Sequence, residues 1–223
     1  MGHIDPKSCR VHTNGNSRTS PIIYVIDSPE HPFDVDLLVS RLASSLVTIP
    51  VADWNDSLTP WPAAGVYREE PDFGGHASET LTELTHEVIP SLEEAGDLDP
   101  SARAICGYSL GGLFAMYALT HCDAFSACAC LSGSVWYEGW VEHLREQAPE
   151  LLGRYAYLSI GTKERKAARP ILKTVQDRME ACAEILQDCG CEVTYRTGPG
   201  NHFQNIPQRF EAGLGALDEF VNS

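Results

Sequence analysis

Short runs of consecutive apolar residues alternate along the chain with longer segments in which apolar positions recur every three or four residues. The short runs predict strands buried on both faces, because a strand with one solvated face would alternate apolar and polar positions. The longer segments predict helices with an apolar face. The predicted strands are 21–27, 46–51, 103–106, 125–132, 155–160 and 192–196, and the predicted helices are 36–43, 78–94, 110–120, 170–189 and one within 203–221.

This alternation predicts an α/β fold with a mostly parallel central sheet and helices on both faces, in three layers. A length of 223 residues suits one domain, which we assign to 21–223, with 1–20 as an N-terminal arm or edge strand. Ligands bind such sheets at the carboxyl ends of the strands. We therefore expect the functional loops there, among them the long loop 53–75 and the loop 133–140.

The segment Gly107-Tyr108-Ser109-Leu110-Gly111 fits the pattern G-x-S-x-G between a short apolar strand and an apolar helix. In this strand–turn–helix context the pattern indicates a nucleophile elbow, in which a sharp turn exposes a serine hydroxyl. Glycines suit the positions two residues before and after the serine, where a side chain would clash. We therefore predict Ser109 as a nucleophile, with the alternative that the pattern is a plain strand-to-helix turn.

An acid and a histidine that follow the serine in that order would complete a catalytic triad of the α/β-hydrolase type. Glu164 is the single carboxylate between Gly153 and Pro170 and follows a late strand, with a surface charge as the alternative interpretation. Asp177, the next acid, lies in a helical pattern that suits the role poorly. His202 follows the last strand in a Gly- and Pro-rich loop and is the single histidine after His143.

The same reasoning assigns supporting residues around Ser109. The Leu110 N–H at the start of a helix is expected to bind an oxyanion, with the N–H of Ser28 as the second donor because Pro29 has none. Three tryptophans on loops at the carboxyl ends of strands are expected to line a substrate cleft, unless they pack in the core. They are Trp54, Trp61 and Trp136.

The composition and charge of the chain exclude some classes of binding partner and indicate a location. A net charge of −15 and a pI near 4.8 argue against nucleic acid and anionic membranes, and no run of 18 apolar residues predicts a membrane span. The polar N-terminus has no signal-peptide pattern, and the eight cysteines have no zinc-type spacing with histidine. We expect free thiols, a cytoplasmic location, a small-molecule ester as partner, and no metal or cofactor.

The segments PIIYVID, DWNDSLTPWPA, GYSLGG, SIGTKE and GPGNHF together resemble a family of α/β-hydrolase esterases. This family includes enterochelin esterase-like proteins, S-formylglutathione hydrolase (esterase D) and feruloyl esterases. The resemblance extends from about residue 21 to the C-terminus and implies the triad Ser109, Glu164 and His202. The chain has no clear large lid or N-terminal binding domain like that of full enterochelin esterases, so the resemblance implies carboxylic ester hydrolysis without naming the ester.

The sequence thus predicts a serine hydrolase that cleaves a carboxylic ester through an acyl-enzyme. Two alternatives remain at this point. One is an acyltransferase that uses the same triad, and the other is a non-catalytic binding protein on a hydrolase fold.

Overall fold

The computed structural model describes residues 4–13, 15, 17–67 and 71–223. Within these residues, seven strands form one sheet in which the six long strands are parallel and β1 is an antiparallel edge strand on β3. The sheet order is β1-β3-β2-β4-β5-β6-β7 for the strands β1 (Arg10–His12), β2 (Ile22–Asp27), β3 (Ser45–Pro50), β4 (Arg103–Tyr108), β5 (Ala127–Leu131), β6 (Tyr155–Gly161) and β7 (Glu192–Gly198).

Helices cover both faces of the sheet, as the sequence predicts. Side chains alternate along β2, so that Tyr24 belongs to one apolar cluster and Ile23 and Val25 to the other. The helices are α1 (Val35–Val39), α2 (Trp54–Ser57), α3 (Ala77–Glu83), α4 (Ile89–Ala95), α5 (Leu110–His121), α6 (Trp140–Gln147), α7 (Pro170–Lys173), α8 (Val175–Asp188) and α9 (Ile206–Val221).

The two apolar clusters define the three layers of the fold. Buried residues of α3 to α6 and α8 pack on one face of the sheet, and buried residues of α1 and α9 pack on the other. Helix α5 is buried all round, with 11 of its residues buried, which explains why its sequence is apolar on every side. This arrangement is the three-layer α/β-hydrolase architecture.

Two predicted helices are interrupted. Between α3 and α4 the backbone forms one π-helical turn, Leu84–Val88, just before Pro90, so the break comes from a wider turn as well as from the proline. The predicted helix 170–189 is divided at Thr174, whose N–H and hydroxyl both donate to the carbonyl of Ile171. No helix among the described residues has the length and apolar character needed to cross a membrane.

The long loop between β3 and α3 is partly ordered by its own contacts. It contains α2, and Ala63 and Phe73 form a two-residue bridge with N–O distances of 3.2 and 2.8 Å. Residues 68–70 of this loop lie outside the described residues. The bridge holds the described parts of the loop over the carboxyl ends of the central strands.

Candidate active site

Ser109 lies between β4 and α5 with φ 57° and ψ −122°, a left-handed backbone conformation that is rare for a residue with a side chain. Gly107 allows this turn, because a Cβ atom there would lie 2.2 Å from the Gly111 carbonyl oxygen. The turn holds the Ser109 hydroxyl at the beginning of α5. Leu110 is the first residue of that helix, so its N–H has no acceptor within the helix.

The structure brings Ser109, His202 and Glu164 into one hydrogen-bonded row. The Nε2 atom of His202 lies 3.1 Å from Ser109 Oγ, and its Nδ1 atom lies 3.0 Å from Glu164 Oε2. A carboxylate can only accept, so Nδ1 carries the proton and Nε2 is left to accept from the Ser109 hydroxyl. These are the three side chains that the sequence analysis assigns to a triad, and their catalytic role stays a prediction.

Backbone pairing between two loops brings Glu164 and His202 together. The N–H of Thr162 donates to the carbonyl of Gly198 at 2.8 Å, and the N–H of Lys163 donates to that of Gly200 at 2.9 Å. These bonds extend the pairing of β6 with β7 beyond the strand ends. The acid and the histidine lie 38 residues apart in sequence, and this loop pairing fixes their distance.

Glu164 is buried, with 5% of its surface exposed, rather than a surface charge. Its Oε1 atom accepts from the Gly161 N–H at 2.7 Å and from the Ser132 hydroxyl at 2.8 Å. Burial raises the pKa of Glu164, but the hydrogen bond and charge of His202, with the bonds from Gly161 and Ser132, outweigh burial and lower the pKa. The carboxyl group is therefore ionised at neutral pH.

Arg209 is a buried member of the site that the sequence analysis missed. Its Nη1 atom donates to Glu164 Oε1 at 2.9 Å, to the Tyr108 hydroxyl at 2.6 Å and to Ser132 Oγ. Its Nη2 atom donates to the carbonyl oxygens of Asn201 at 3.1 Å and Pro199 at 3.3 Å. One side chain thus holds both the acid and the loop that carries the histidine.

A cavity of about 720 Å³ opens beside Ser109 and His202. Two of the three predicted tryptophans, Trp54 and Trp136, line this cavity. Trp61 does not line it, which differs from the sequence expectation. The Nε1 atom of Trp61 instead donates to the Glu138 carbonyl at 3.0 Å, and its ring packs on Tyr137, so it joins the long loop to the loop before α6.

Ser28 is the predicted second oxyanion donor, and this role stays a prediction. Ser28 is not among the residues that line the cavity, because the chain turns sharply there: the Ser28 hydroxyl accepts from the Glu30 N–H and its carbonyl accepts from the His31 N–H. Glu30 and His31 line the cavity instead. The Leu110 residue does line the cavity, beside Ser109.

His31 and Ser134 are further cavity residues that sequence reasoning missed. The Ser134 hydroxyl lies 3.3 Å from Ser109 Oγ. The His31 ring packs on Tyr108 at 4.8 Å and stands edge-on to His202 at 6.1 Å, and its buried Nδ1 atom has no protein partner. Burial, reinforced by the nearby His202, lowers the pKa of His31 to about 4, so this imidazole is neutral near pH 7.

Little in the sequence distinguishes these missed residues. Arg209 and Ser134 belong to no motif, and His31 precedes the position that a triad histidine occupies. A signal for His31 was its place directly after the first parallel strand, where loops reach the carboxyl edge of the sheet. Among the described residues, no group of three or more His, Cys, Asp or Glu side chains is arranged to hold a metal ion.

Comparison with known proteins gives a family match over most of the chain. Residues 9–205 match the family described as "Putative esterase". The chain is 31% identical over 180 residues to the uncharacterized protein YbbA of Bacillus subtilis (strain 168), an alignment that covers 76% of this chain and 72% of YbbA.

Solved structures share the fold. An IroE-like serine hydrolase from Shewanella oneidensis aligns with a TM-score of 0.75 at 18% identity, covering 95% of this chain and 75% of that one. The siderophore hydrolase EstA from Aspergillus nidulans aligns with a TM-score of 0.65 at 19% identity, covering 91% and 84%. With the family match, these findings give the conclusion that the chain belongs to this esterase family of the α/β-hydrolase superfamily and is a carboxylic ester hydrolase.

Proposed function

We propose that this chain hydrolyses a small-molecule carboxylic ester through an acyl-enzyme formed on Ser109. The observation that carries the proposal is the hydrogen-bonded row in which Glu164 contacts Nδ1 of His202 and Ser109 contacts Nε2. In that tautomer the imidazole can accept the hydroxyl proton as the serine oxygen attacks.

In the acylation half-reaction, Ser109 Oγ forms a bond to the carbonyl carbon of the ester while the hydroxyl proton passes to His202 Nε2. The resulting oxyanion lies near the Leu110 N–H, which the start of α5 leaves unpaired. The carbon–oxygen bond to the alcohol then breaks, and His202 returns its proton to the departing alkoxide. The charge of Glu164 stabilises the imidazolium that exists between these two transfers.

Water completes the cycle by the same route. His202 accepts a proton from a water molecule, and the water oxygen attacks the acyl carbon. The bond between that carbon and Ser109 Oγ then breaks as His202 gives the proton to Oγ. The His202 side chain is 25% exposed, so solvent reaches the base. This access favours hydrolysis over transfer to an alcohol, which would require water to be excluded.

Labelling with a fluorophosphonate followed by peptide mass spectrometry tests the nucleophile. We expect the label on Ser109, and we expect Ser109→Ala to fold and to lose about 10³-fold or more of p-nitrophenyl ester turnover. Ser159→Ala is the matched control, because Ser159 is a buried serine whose hydroxyl has no partner and which does not line the cavity. Label on another serine would contradict the proposal.

One further assay, together with the labelling, separates the alternatives. Hydrolysis measured with and without an added alcohol acceptor distinguishes a hydrolase from an acyltransferase, and we expect free acid as the main product in both. A protein that binds esters without turning them over would take up no label at Ser109.

A further inference from the structure

Cations are concentrated at one place on an otherwise acidic protein. The chain carries a net charge of −15, yet four of its 16 lysines and arginines fall within seven residues directly after β6. In the described part of the chain, none of the four forms an ion pair with a carboxylate. They are Lys163, Arg165, Lys166 and Arg169.

Elsewhere in the described chain, five arginines pair with an aspartate or glutamate: Arg18, Arg41, Arg103, Arg154 and Arg209. The other six described cations outside the cluster form no such pair: Lys7, Arg10, Arg145, Lys173, Arg178 and Arg196. The segment after β6 differs from the rest in its density of cations, with four in seven residues. Arg169 of this segment stacks on the Tyr67 ring, and the other three are available to an anion from outside.

Two of the four cationic residues line the cavity that contains Ser109. Lys163 and Lys166 line the cavity, whereas Arg165 does not. The two lysines stand three residues apart at a single turn of 3₁₀-helix, Glu164–Lys166, and this spacing places side chains on the same side of such a turn. The Lys163 N–H bonded to Gly200 and the Lys166 N–H bonded to the Lys163 carbonyl fix the backbone of the turn.

Glu164 lies between the two lysines in sequence but does not neutralise them. Its side chain is buried, Arg209 forms an ion pair with its Oε1 atom, and His202 occupies its Oε2 atom. Glu30 is the one other carboxylate that lines the cavity among the described residues. Among the described residues, the charged groups that remain for a ligand are therefore two ammonium groups against one carboxylate.

The remaining wall of the cavity is mixed: Trp54, Trp136 and Leu172 give apolar surface, and polar residues such as Asn55 and Asn201 also line it. We propose that Lys163 and Lys166 form an anion-binding subsite, and that the ester substrate carries a carboxylate or similar anionic group on its acyl or alcohol part, beyond the reacting carbonyl. The inference rests on the proposed function, because it concerns the substrate of the same site. An anion there gains charge attraction that a neutral ester lacks.

The test uses two esters that differ by one charge: mono-p-nitrophenyl adipate and its methyl ester, which have the same acyl chain. We expect kcat/KM for the anionic ester to exceed that for the neutral ester about five- to tenfold at low ionic strength, a size typical of partly exposed charge pairs. The ratio should fall towards one as salt screens the lysines.

Substitutions test whether the preference for the anionic ester comes from Lys163 and Lys166. The double variant Lys163→Gln, Lys166→Gln should lose most of the preference, so that the ratio of the two kcat/KM values falls about fivefold. Arg165→Gln removes one positive charge, as each single lysine substitution does, from a neighbouring exposed residue outside the cavity, and it should leave the ratio unchanged. Circular dichroism and thermal melts check that all variants are folded.

The outcomes separate this inference from the proposed function. If both esters are hydrolysed and Ser109 is labelled, but the ratio is near one or is equally affected by Arg165→Gln, the anion subsite is wrong and the proposed function stands. If neither ester is hydrolysed and Ser109 takes no label, both proposals are wrong.

Discussion

The Nη1 atom of Arg209 lies 2.9 Å from Oε1 of Glu164, and the two side chains are only 7% and 4% exposed. This pair occupies one oxygen of the carboxylate and leaves Oε2 free for His202. The guanidinium also binds the carbonyls of Asn201 and Pro199, just before the histidine. Arg209 is therefore placed to set both the position of His202 and the charge that it experiences.

We predict that Arg209→Met raises the pH at which activity is half lost on the acid side. Without the guanidinium, the Glu164 charge acts on His202 alone and favours the imidazolium, which cannot serve as a base. We expect the acid limb of the kcat/KM profile to move up by about one pH unit, as is typical when a nearby charge of the same sign as the imidazolium is removed. Arg209→Lys, which keeps the charge, should show a smaller shift.

Arg154→Met is the matched control for that experiment. Arg154 donates to the carbonyls of Leu119 and Cys122 and is also largely buried, but it does not line the cavity. Both variants should lose stability, roughly 3–5 kcal/mol for the broken buried pair at Arg209. An acid limb that stays fixed in Arg209→Met would reduce Arg209 to a structural role.

Glu164→Gln should fold and reduce turnover by roughly 10²-fold or more, but by less than Ser109→Ala. The glutamine has no charge to stabilise the imidazolium, and its amide can orient the ring in the wrong tautomer. Single-turnover measurements with a p-nitrophenyl ester check the rate of acylation. Activity near that of the unaltered protein would show that the serine and histidine act without the acid.

Two buried groups should make the fold sensitive to acid, in different pH windows. Burial lowers the pKa of His31 to about 4 from 6.5, so the unfolded chain binds this proton first and stability falls as pH drops through that interval. The pKa of Glu164 is lowered from 4.5, mainly because its contacts with His202 outweigh burial, so its stabilisation is lost at still lower pH.

Urea unfolding across the acid range tests both contributions. His31→Phe should flatten the dependence of unfolding free energy on pH between about pH 6.5 and about pH 4, because the titrating group is gone. Glu164→Gln should flatten the dependence below about pH 4.5 instead. If the unfolding free energy of a variant depends on pH in the same way as that of the unaltered protein, the substituted residue is not a source of the acid sensitivity.

The tryptophans should divide into two classes. Trp54→Ala and Trp136→Ala remove aromatic surface from the cavity wall and are expected to raise KM for an apolar ester about tenfold or more. Trp61→Ala should lower the melting temperature and leave KM close to its original value, because Trp61 holds two loops together outside the cavity. A larger change in KM for Trp61→Ala than for Trp54→Ala would contradict the cavity assignment.

Local pattern was enough to predict the strands, the layers and the three residues of the row. Continuous apolar runs such as Ile22–Asp27 can be buried only between two layers of helices. The glycines around Ser109 indicate a turn that other residues would obstruct, and the positions of Glu164 and His202 follow from where late strands end. These inferences depend on residues close together in sequence, or on strand order, which chain connectivity constrains.

The tertiary structure alone decided which polar groups support the row and which aromatic residues face the cavity. Arg209 is 45 residues from Glu164 and 101 from Tyr108, so no periodicity or motif links these contacts. Trp54 and Trp61 lie seven residues apart on the same loop, and nothing in the local sequence separates their roles. The path of the loop nevertheless places Trp54 in the cavity wall with Ser109 and packs Trp61 on Tyr137. Packing chooses among side chains that a local pattern treats as equivalent, because burial and hydrogen bonding depend on distant parts of the chain.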